Sequence, residues 1–436
     1  MDIPVKKSAV RYEVVVAGGG PAGCAAAAAA ARHGARTLLL EAESVLGGMQ
    51  TSALVSCFAP FGDGERAISC GIADEVRRAS NRAAYDTPED GIGWVTASPE
   101  DNKRIYDELV TRSGADVLFR TTVCAVKREG GRLTGIVAAG KDGLTEYEAD
   151  CYIDCTGDAD LCCFAGLPFE KGGENGELQA ATLCFIITGI NPAALDKLTM
   201  YGGDKRSPIH KIRALGKWPL ISDGHFLIDR LAPGTLCFNA GHLWESDSTD
   251  PRQVTRSMIE GRRLAKQFRD ALAEVEPEAF GESYLVTTAP MLGVRESRRI
   301  VGEYTLTAKD YFERRSFPDE IARNCYFIDI HSSKPGGSGV DEVTDGLGES
   351  YGPGESHGIP YRCLVPKGME NLLVAGRSVS CDRTVQGSLR VMPNCLTIGE
   401  AAGTAAALAV RRGTGTNAVD TDELRALLRK DGAYFL

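Results

Sequence analysis

Val14-Val15-Val16-Ala17-Gly18-Gly19-Gly20-Pro21-Ala22-Gly23, running into the alanine-rich stretch Ala25–Ala31, decides the fold of this chain. The pattern is an apolar strand, a tight glycine turn and a helix. Gly18 permits the turn, Gly20 lets backbone approach a pyrophosphate, and Gly23 lets the helix pack closely on the sheet. A helix N-terminus directed at the turn presents free N–H groups and a partial positive charge to phosphates. Arg36–Leu40 reads as the next strand and Glu41 ends it, where a carboxylate accepts hydrogen bonds from ribose hydroxyls. A glycine turn with no ligand does not account for strand, turn, helix, strand and acid in that order.

At 436 residues, the chain is long enough for two or three domains. Its apolar fraction of 43% and charged fraction of 25% are those of a globular protein. The net charge of −10 argues against nucleic acid or an anionic membrane as a partner. Met1–Arg11 is polar and basic with no apolar h-region, and the alanine run is too short to span a bilayer, so a cytoplasmic location is expected. The fourteen cysteines are then expected as reduced thiols, mostly packed as small hydrophobes. No histidine and cysteine grouping has metal-ligand spacing, so no metal is expected.

Along the chain, Leu46-Gly47-Gly48-Met49-Gln50-Thr51 again suggests backbone close to a ligand. Amphipathic helices are expected over Ala67–Arg82 and Pro99–Ser113. Asp116–Phe119, Thr121–Lys127, Arg132–Ala139 and Thr145–Asp154 read as a β-meander ending at the turn Thr156-Gly157-Asp158. Residues 166–359 change character, with scattered Gly and Pro and one good helix between Asp250 and Glu276, and read as an α+β substrate domain. Pro335–Gly354 reads as a loop able to act as a lid. Asn371–Gly376 is a buried strand with a glycine exit, and Asn394–Arg412 a long apolar helix, so residues 1–165 and 360–436 make one discontinuous domain.

Taken together, these segments resemble the FAD-dependent oxidoreductases of glutathione-reductase type. The resemblance rests on Gly18-x-Gly20-x-x-Gly23 with Glu41, the Gly47-Gly48 turn, Asp154-x-Thr156-Gly157-Asp158, and Gly293-Val294-Arg295-Glu296-Ser297-Arg298-Arg299. It extends through Ile328-Asp329-Ile330-His331, Ile359-Pro360-Tyr361-Arg362 and the closing stretch from Asn371 to Gly403. It implies an α/β, Rossmann-like FAD-binding domain with a meander insertion, plus the substrate domain. It further implies that Gly18, Gly20, Pro21, Ala22 and Gly23 hold the pyrophosphate and that Glu41 binds the adenosine ribose. Gly47, Gly48, Met49 and Thr51 would lie along the cofactor towards its ring, Gly157 and Asp158 along the ribitol side, and Gly376 and Arg377 beside the phosphates. The helix near Asn394 would aim its N-terminus at the flavin N1 and C2 carbonyl, where a positive helix end stabilises reduced flavin.

A second strand–GxGxxG–helix is absent, as is a CxxxxC redox pair, which leaves direct oxidation of a small polar molecule at C–OH or C–N as the expected activity. Reduction of an activated C=C bond in an unsaturated acid is the alternative; a flavoprotein acting on tRNA, or one holding FAD structurally, is the alternative of another class. His331 is the expected base, ending a strand-like run Cys325–Ile330 on which Phe327, Asp329 and His331 share a face. Arg295, in a basic cluster with Arg298 and Arg299 around Glu296, and Arg390 are candidate anion ligands. His357 and Tyr361 stand at the return to the first domain and complete the catalytic candidates. The other histidines fall in no constellation. The sequence names neither the electron acceptor nor the oligomeric state, a homodimer included.

Overall fold

Val14–Ala17, Thr37–Leu40, Cys151–Asp154 and Leu372–Val374 are continuous apolar runs, and every residue in them is buried. Strands with no polar face must be covered on both sides, which is the condition of a parallel sheet. In the computed structural model, which describes residues 4–336 and 350–436, these runs form that sheet. Its order is Leu372–Val374, Cys151–Asp154, Val14–Ala17, Thr37–Leu40 and Asp116–Leu118, all parallel.

Alternation divides the sheet between two cores. Val14, Val16, Leu39, Ile153 and Leu373 face the helices Pro21–Arg32 and Met392–Arg412. Val15, Leu38, Leu40, Tyr152 and Leu372 face a second sheet made of Val5–Lys7, Gly143–Tyr147, Arg132–Gly140 and Thr122–Glu129. Asp116–Leu118 therefore belongs to the parallel sheet and not to the meander. The expected strand Thr145–Asp154 is two strands in different sheets, Gly143–Tyr147 and Cys151–Asp154, separated by the polar step Glu148–Asp150. The expected helix from Ala67 begins at Ile72, because Gly71 takes a positive φ of 66° just before it.

A four-stranded antiparallel sheet, Phe226–Ala232, Thr235–Ala240, Phe185–Thr188 and Tyr284–Thr288 in spatial order, makes the second layer system. The helix Pro251–Val275, capped by the Asp250 carboxylate, packs Phe268 on Phe185 behind it at a centroid distance of 5.7 Å. The expected strand-like run Cys325–Ile330 is irregular, and the strand is the segment before it: Glu320–Asn324 pairs with His357–Pro360, and Tyr361–Leu364 is a 3-10 turn. Ile321, Ile328, Ile330 and Ile359 join the core of the parallel sheet. The Pro335–Gly354 lid expectation falls largely on residues outside those described. Among the described residues no helix is long and apolar enough to cross a membrane.

The helices Pro21–Arg32 and Met392–Arg412 cross in backbone contact. A Cβ on Gly399 would stand 2.2 Å from the Ala22 carbonyl oxygen, and one on Gly403 would stand 2.1 Å from that of Ala26. One turn away, the buried Glu400 accepts the Ile72 N–H at 2.9 Å and so caps the helix Ile72–Ala83, whose own Gly71 has no side chain to do so. Burial pushes the Glu400 carboxyl from 4.5 up to about 8. The unfolded chain releases this proton at lower pH than the folded one, so stability falls as pH rises from about 4.5 to about 8. Two outcomes are expected in denaturation experiments. Glu400→Gln flattens that pH slope, and Gly403→Val lowers stability by roughly 1–3 kcal/mol through overpacking at a site where backbone, not a side chain, must move.

Candidate functional site

A cavity of about 1170 Å³ runs from Glu41, over the carboxyl ends of the parallel strands, to the inner face of the antiparallel sheet. That exceeds the roughly 300–1,000 Å³ of ordinary small-molecule pockets and gives room for a dinucleotide and a second ligand. Two long helices begin at its wall without a cap. Pro21–Arg32 starts at Gly20 and Met392–Arg412 at Val391, with no side-chain cap and no acidic residue in the first turn of either. The helices starting at Pro99, Pro251, Arg383 and Thr421 are capped instead by Ser98, Asp250, Asp382 and Asp420. Two sets of free N–H groups thus face one cavity, a disposition for a phosphate at one and an anionic ring at the other.

Of the expected cofactor residues, Gly18, Gly20, Pro21, Ala22, Glu41, Gly48, Met49, Gly157, Asp158, Gly376 and Arg377 line this cavity. A Cβ on Gly20 would meet no protein atom within 4 Å, so the space it leaves open belongs to the cavity. Glu41 is buried and accepts the N–H groups of Gly19 and Glu43 at 2.5 and 2.7 Å, which hold its carboxylate against the strand end. Arg377 donates to Asp158 at 3.0 Å across the turn. Burial works to raise the Asp158 carboxyl, yet the Arg377 guanidinium and the Ser297 and Ser248 hydroxyls keep it below its ordinary value.

The other four expected cofactor residues stand behind the wall. A Cβ on Gly23 would lie 1.8 Å from the Gly18 carbonyl oxygen, so Gly23 serves the helix–turn contact. Gly47, at φ 98°, packs on Thr51 and Tyr106, and Thr51 donates its hydroxyl to the Leu46 carbonyl. Asn394 donates to Asn324 Oδ1 at 2.8 Å, tying the closing helix to the strand before Cys325.

At the far end, Cys325–His331 is irregular yet keeps most of its alternation: Ile328 and Ile330 are buried in the core, while Phe327, Asp329 and His331, joined by the buried Tyr326, line the cavity. The fold sets His242 and His225 beside His331. His242 Nε2 lies 2.8 Å from His331 Nδ1. The outer nitrogens face carboxylates, His242 Nδ1 at 3.1 Å from Asp223 Oδ2 (off the hydrogen-bond axis) and His331 Nε2 at 3.3 Å from Asp329 Oδ1. Arg390 completes the row with a 3.0 Å pair to Asp329 Oδ2. Burial, with Arg295 close by, pushes His331 down to about 3, and burial lowers His242 and His225 as well. Burial works to raise Asp329, but Arg390, His331 and Arg295 hold it well below the usual carboxylate range. His225 and His242 carried no sequence signal, since they lie 106 and 89 residues before His331, in loops beside other strands.

Three imidazoles this close suggest a metal ligand set. The rings of His225 and His242, however, are stacked at 4.4 Å with an interplanar angle of 18°. Lone pairs lie in the ring planes, so an ion about 2.1 Å from each nitrogen would sit well out of both planes. Arg295 also points a guanidinium nitrogen at His225 Nε2, 3.5 Å away. The arrangement as it stands is a hydrogen-bonded, stacked set of rings and not the geometry of a cation site.

The basic cluster splits in three. Arg299 and Arg383 pair with the buried Glu296, Arg298 pairs with Asp160, and Arg295 alone reaches the cavity. Its Nη1 donates to the Ala180 carbonyl and Thr182 Oγ1 at 2.7 and 3.0 Å. Burial and the neighbouring Arg390 pull it down to about 10. His357 and Tyr361 do not line this cavity. His357 is fully buried against the Tyr351 hydroxyl, and Tyr361 donates to the Thr416 carbonyl at 2.7 Å. Both pack the seam between segments, which is why a strand returning to the first domain carries them.

The profile of the family described as FAD dependent oxidoreductase matches residues 13–428. No curated protein matches the chain. Among solved structures, a geranylgeranyl bacteriochlorophyll reductase-like protein from Thermoplasma acidophilum is similar at 13% identity and a TM-score of 0.47, covering 99% of this chain and 93% of its own. p-Nitrophenol 4-monooxygenase PnpA from Pseudomonas putida is similar at 11% identity and a TM-score of 0.49, with 98% and 86% covered. CabE, an aromatic hydroxylase from angucycline biosynthesis, is similar at 14% identity and a TM-score of 0.49, with 97% and 69% covered.

The cradle makes one expectation measurable. Gly20→Val fills the space over the first helix end, and the purified variant should carry far less FAD than the wild type by its visible absorbance. Gly114→Ala, at a turn whose Cβ would meet open space, should keep it, though its positive φ takes a small toll on stability. The matched span covers nearly the whole sequence, and the cavity has two free helix ends and the Glu41 carboxylate on its wall; the chain belongs to the FAD-dependent oxidoreductase family, with FAD as its cofactor.

Proposed function

We propose that this chain oxidises a small polar substrate at a carbon bearing a hydroxyl or amine, with the His331–His242 pair as the proton acceptor. The observation that carries the reading is the row Asp223, His242, His331, Asp329, which reaches the cavity wall at His331 and Asp329. Each carboxylate favours an N–H on the imidazole nitrogen it faces, because a bare lone pair there is repelled. Two neutral rings carry two N–H groups for three contacts, the two carboxylates and the 2.8 Å meeting of His242 Nε2 with His331 Nδ1. The row is one proton short, and a proton taken from substrate completes it.

Bound FAD supplies the acceptor for the hydride of the substrate C–H bond. The side chains do the rest. As the C–H bond breaks, the O–H or N–H electron pair becomes the second bond of C=O or C=N, and the released proton lodges between His331 and His242. Asp223 and Asp329 stabilise the resulting imidazolium, and Arg390 keeps Asp329 in place. Arg295, which makes no ion pair among the described residues, serves as the anchor for a negative substrate group.

The same Arg295 favours a second reading, reduction of a C=C bond in an unsaturated acid. Anaerobic mixing separates the two: bleaching of the flavin by candidate substrates supports oxidation, and reoxidation of chemically reduced flavin by an unsaturated acid supports reduction. Under the oxidative reading, His331→Ala slows flavin reduction by roughly 10²–10⁴-fold. The base works only when neutral, and burial holds the pair neutral. The acid limb of the reduction rate should therefore lie below the ordinary histidine value of about 6.5. A limb at or above that value, or a His331→Ala rate equal to wild type, sinks the assignment.

A further inference from the structure

Asp229 stands on the strand Phe226–Ala232 and lines the same cavity as Arg295. Its hydrogen-bonding neighbours are neutral, Ser56 Oγ, which donates to Oδ2 at 2.7 Å, and the Cys57 thiol; among the described residues no cation pairs with it. Burial raises its carboxyl above the ordinary value, as expected of an acid denied a counter-charge. Arg295 is the converse, a buried guanidinium held by a carbonyl, a hydroxyl and an imidazole but by no carboxylate. Strand pairing shows why the two face one space. Asp229 lies opposite Cys237, which lies opposite Ile186, and two residues back along that strand Cys184 and then Thr182 lead to the Arg295 guanidinium. Thr182 and Cys184 are cavity wall between the two charges. The recessed arginines Arg299, Arg323 and Arg377 are each matched by a carboxylate, Glu296, Glu320 and Asp158. Two opposite charges left unmatched on one wall call for a ligand that carries both complements.

Resting on the oxidative reading above, we propose that the substrate is a zwitterion of the amino-acid class, its carboxylate on Arg295 and its basic nitrogen on Asp229. The carbon oxidised is then the one presented to His331.

The test is ligand binding to the FAD-loaded protein, read from perturbation of the flavin spectrum. The probes are the protein amino acids together with β-alanine and γ-aminobutyrate. Each is set beside the carboxylic acid that lacks the nitrogen and the amine that lacks the carboxylate. At least one zwitterion should bind roughly tenfold or more tighter than both of its partners, the size expected for a charge-assisted contact. Asp229→Asn should erase that margin while leaving the affinity of the nitrogen-free acid unchanged. If no zwitterion outbinds its acid, or if the margin survives in Asp229→Asn, the proposal is overturned. Should Asp229→Asn fail to hold FAD, the wild-type ranking of zwitterion against acid and amine decides alone. The oxidative reading fails separately: a zwitterion that binds through Asp229 but never bleaches the flavin keeps the ligand class and removes the reaction.

Discussion

The contact of Gly399 and Gly403 with the Ala22 and Ala26 carbonyls is the constraint on which the rest of this protein depends. Because no Cβ intervenes, the first helix of the chain and its long closing helix lie backbone to backbone. Their starting ends then reach the same cavity, and neither is capped by the chain itself. Capping either end with a side chain would satisfy its N–H groups and lose the ligand. The protein leaves both ends open while capping the helices that start at Pro99, Pro251, Arg383 and Thr421, and it lends Glu400 across helices to cap Ile72–Ala83.

A similar economy governs the charges at the far end of the cavity. Glu296 is shared between Arg299 and Arg383, and Asp329 between Arg390 and His331, so the scaffold settles its own electrostatics in closed pairs. Arg295 and Asp229 are left on this cavity wall without a counter-charge. Each is held in place by neutral hydrogen bonds or ring contacts, which fix position without satisfying charge. Rigid placement with unfinished electrostatics is the physical meaning of preorganisation.

The sequence made the cofactor half of the protein legible because its signals are local. Gly18, Gly20 and Glu41 lie within one strand–helix–strand unit, where steric demand maps directly on residue type. Local reasoning also chose the right face of Cys325–His331, even though the strand itself stops at Asn324, since alternation survives where pairing does not. It misread Thr145–Asp154 as one strand because nothing in composition marks a change of sheet at Glu148–Asp150. It placed Thr51 and Asn394 on the ligand, though their polar atoms bond to Leu46 and Asn324. The reactive end was least legible. His225, His242, Asp223 and Asp229 come from the antiparallel sheet and its loops, and only long-range packing, which no spacing rule encodes, sets the two histidines against His331, and Asp229 on the same cavity.

The strand Leu372–Val374 occupies one edge of the parallel sheet, beside Cys151–Asp154, more than two hundred residues earlier in the chain. Synthesis proceeds from the N-terminus, so the first glycine turn leaves the ribosome long before the strand and helix that close the cradle around it. Until then the sheet has an open edge at Cys151–Asp154 and the first helix lacks the partner that Gly399 and Gly403 provide. Loop closure over that span makes this contact a late and entropically demanding event in folding. The nascent chain therefore carries half a binding site for most of its synthesis, and the cofactor reports on completion: tight retention of FAD marks a chain whose two ends have found each other.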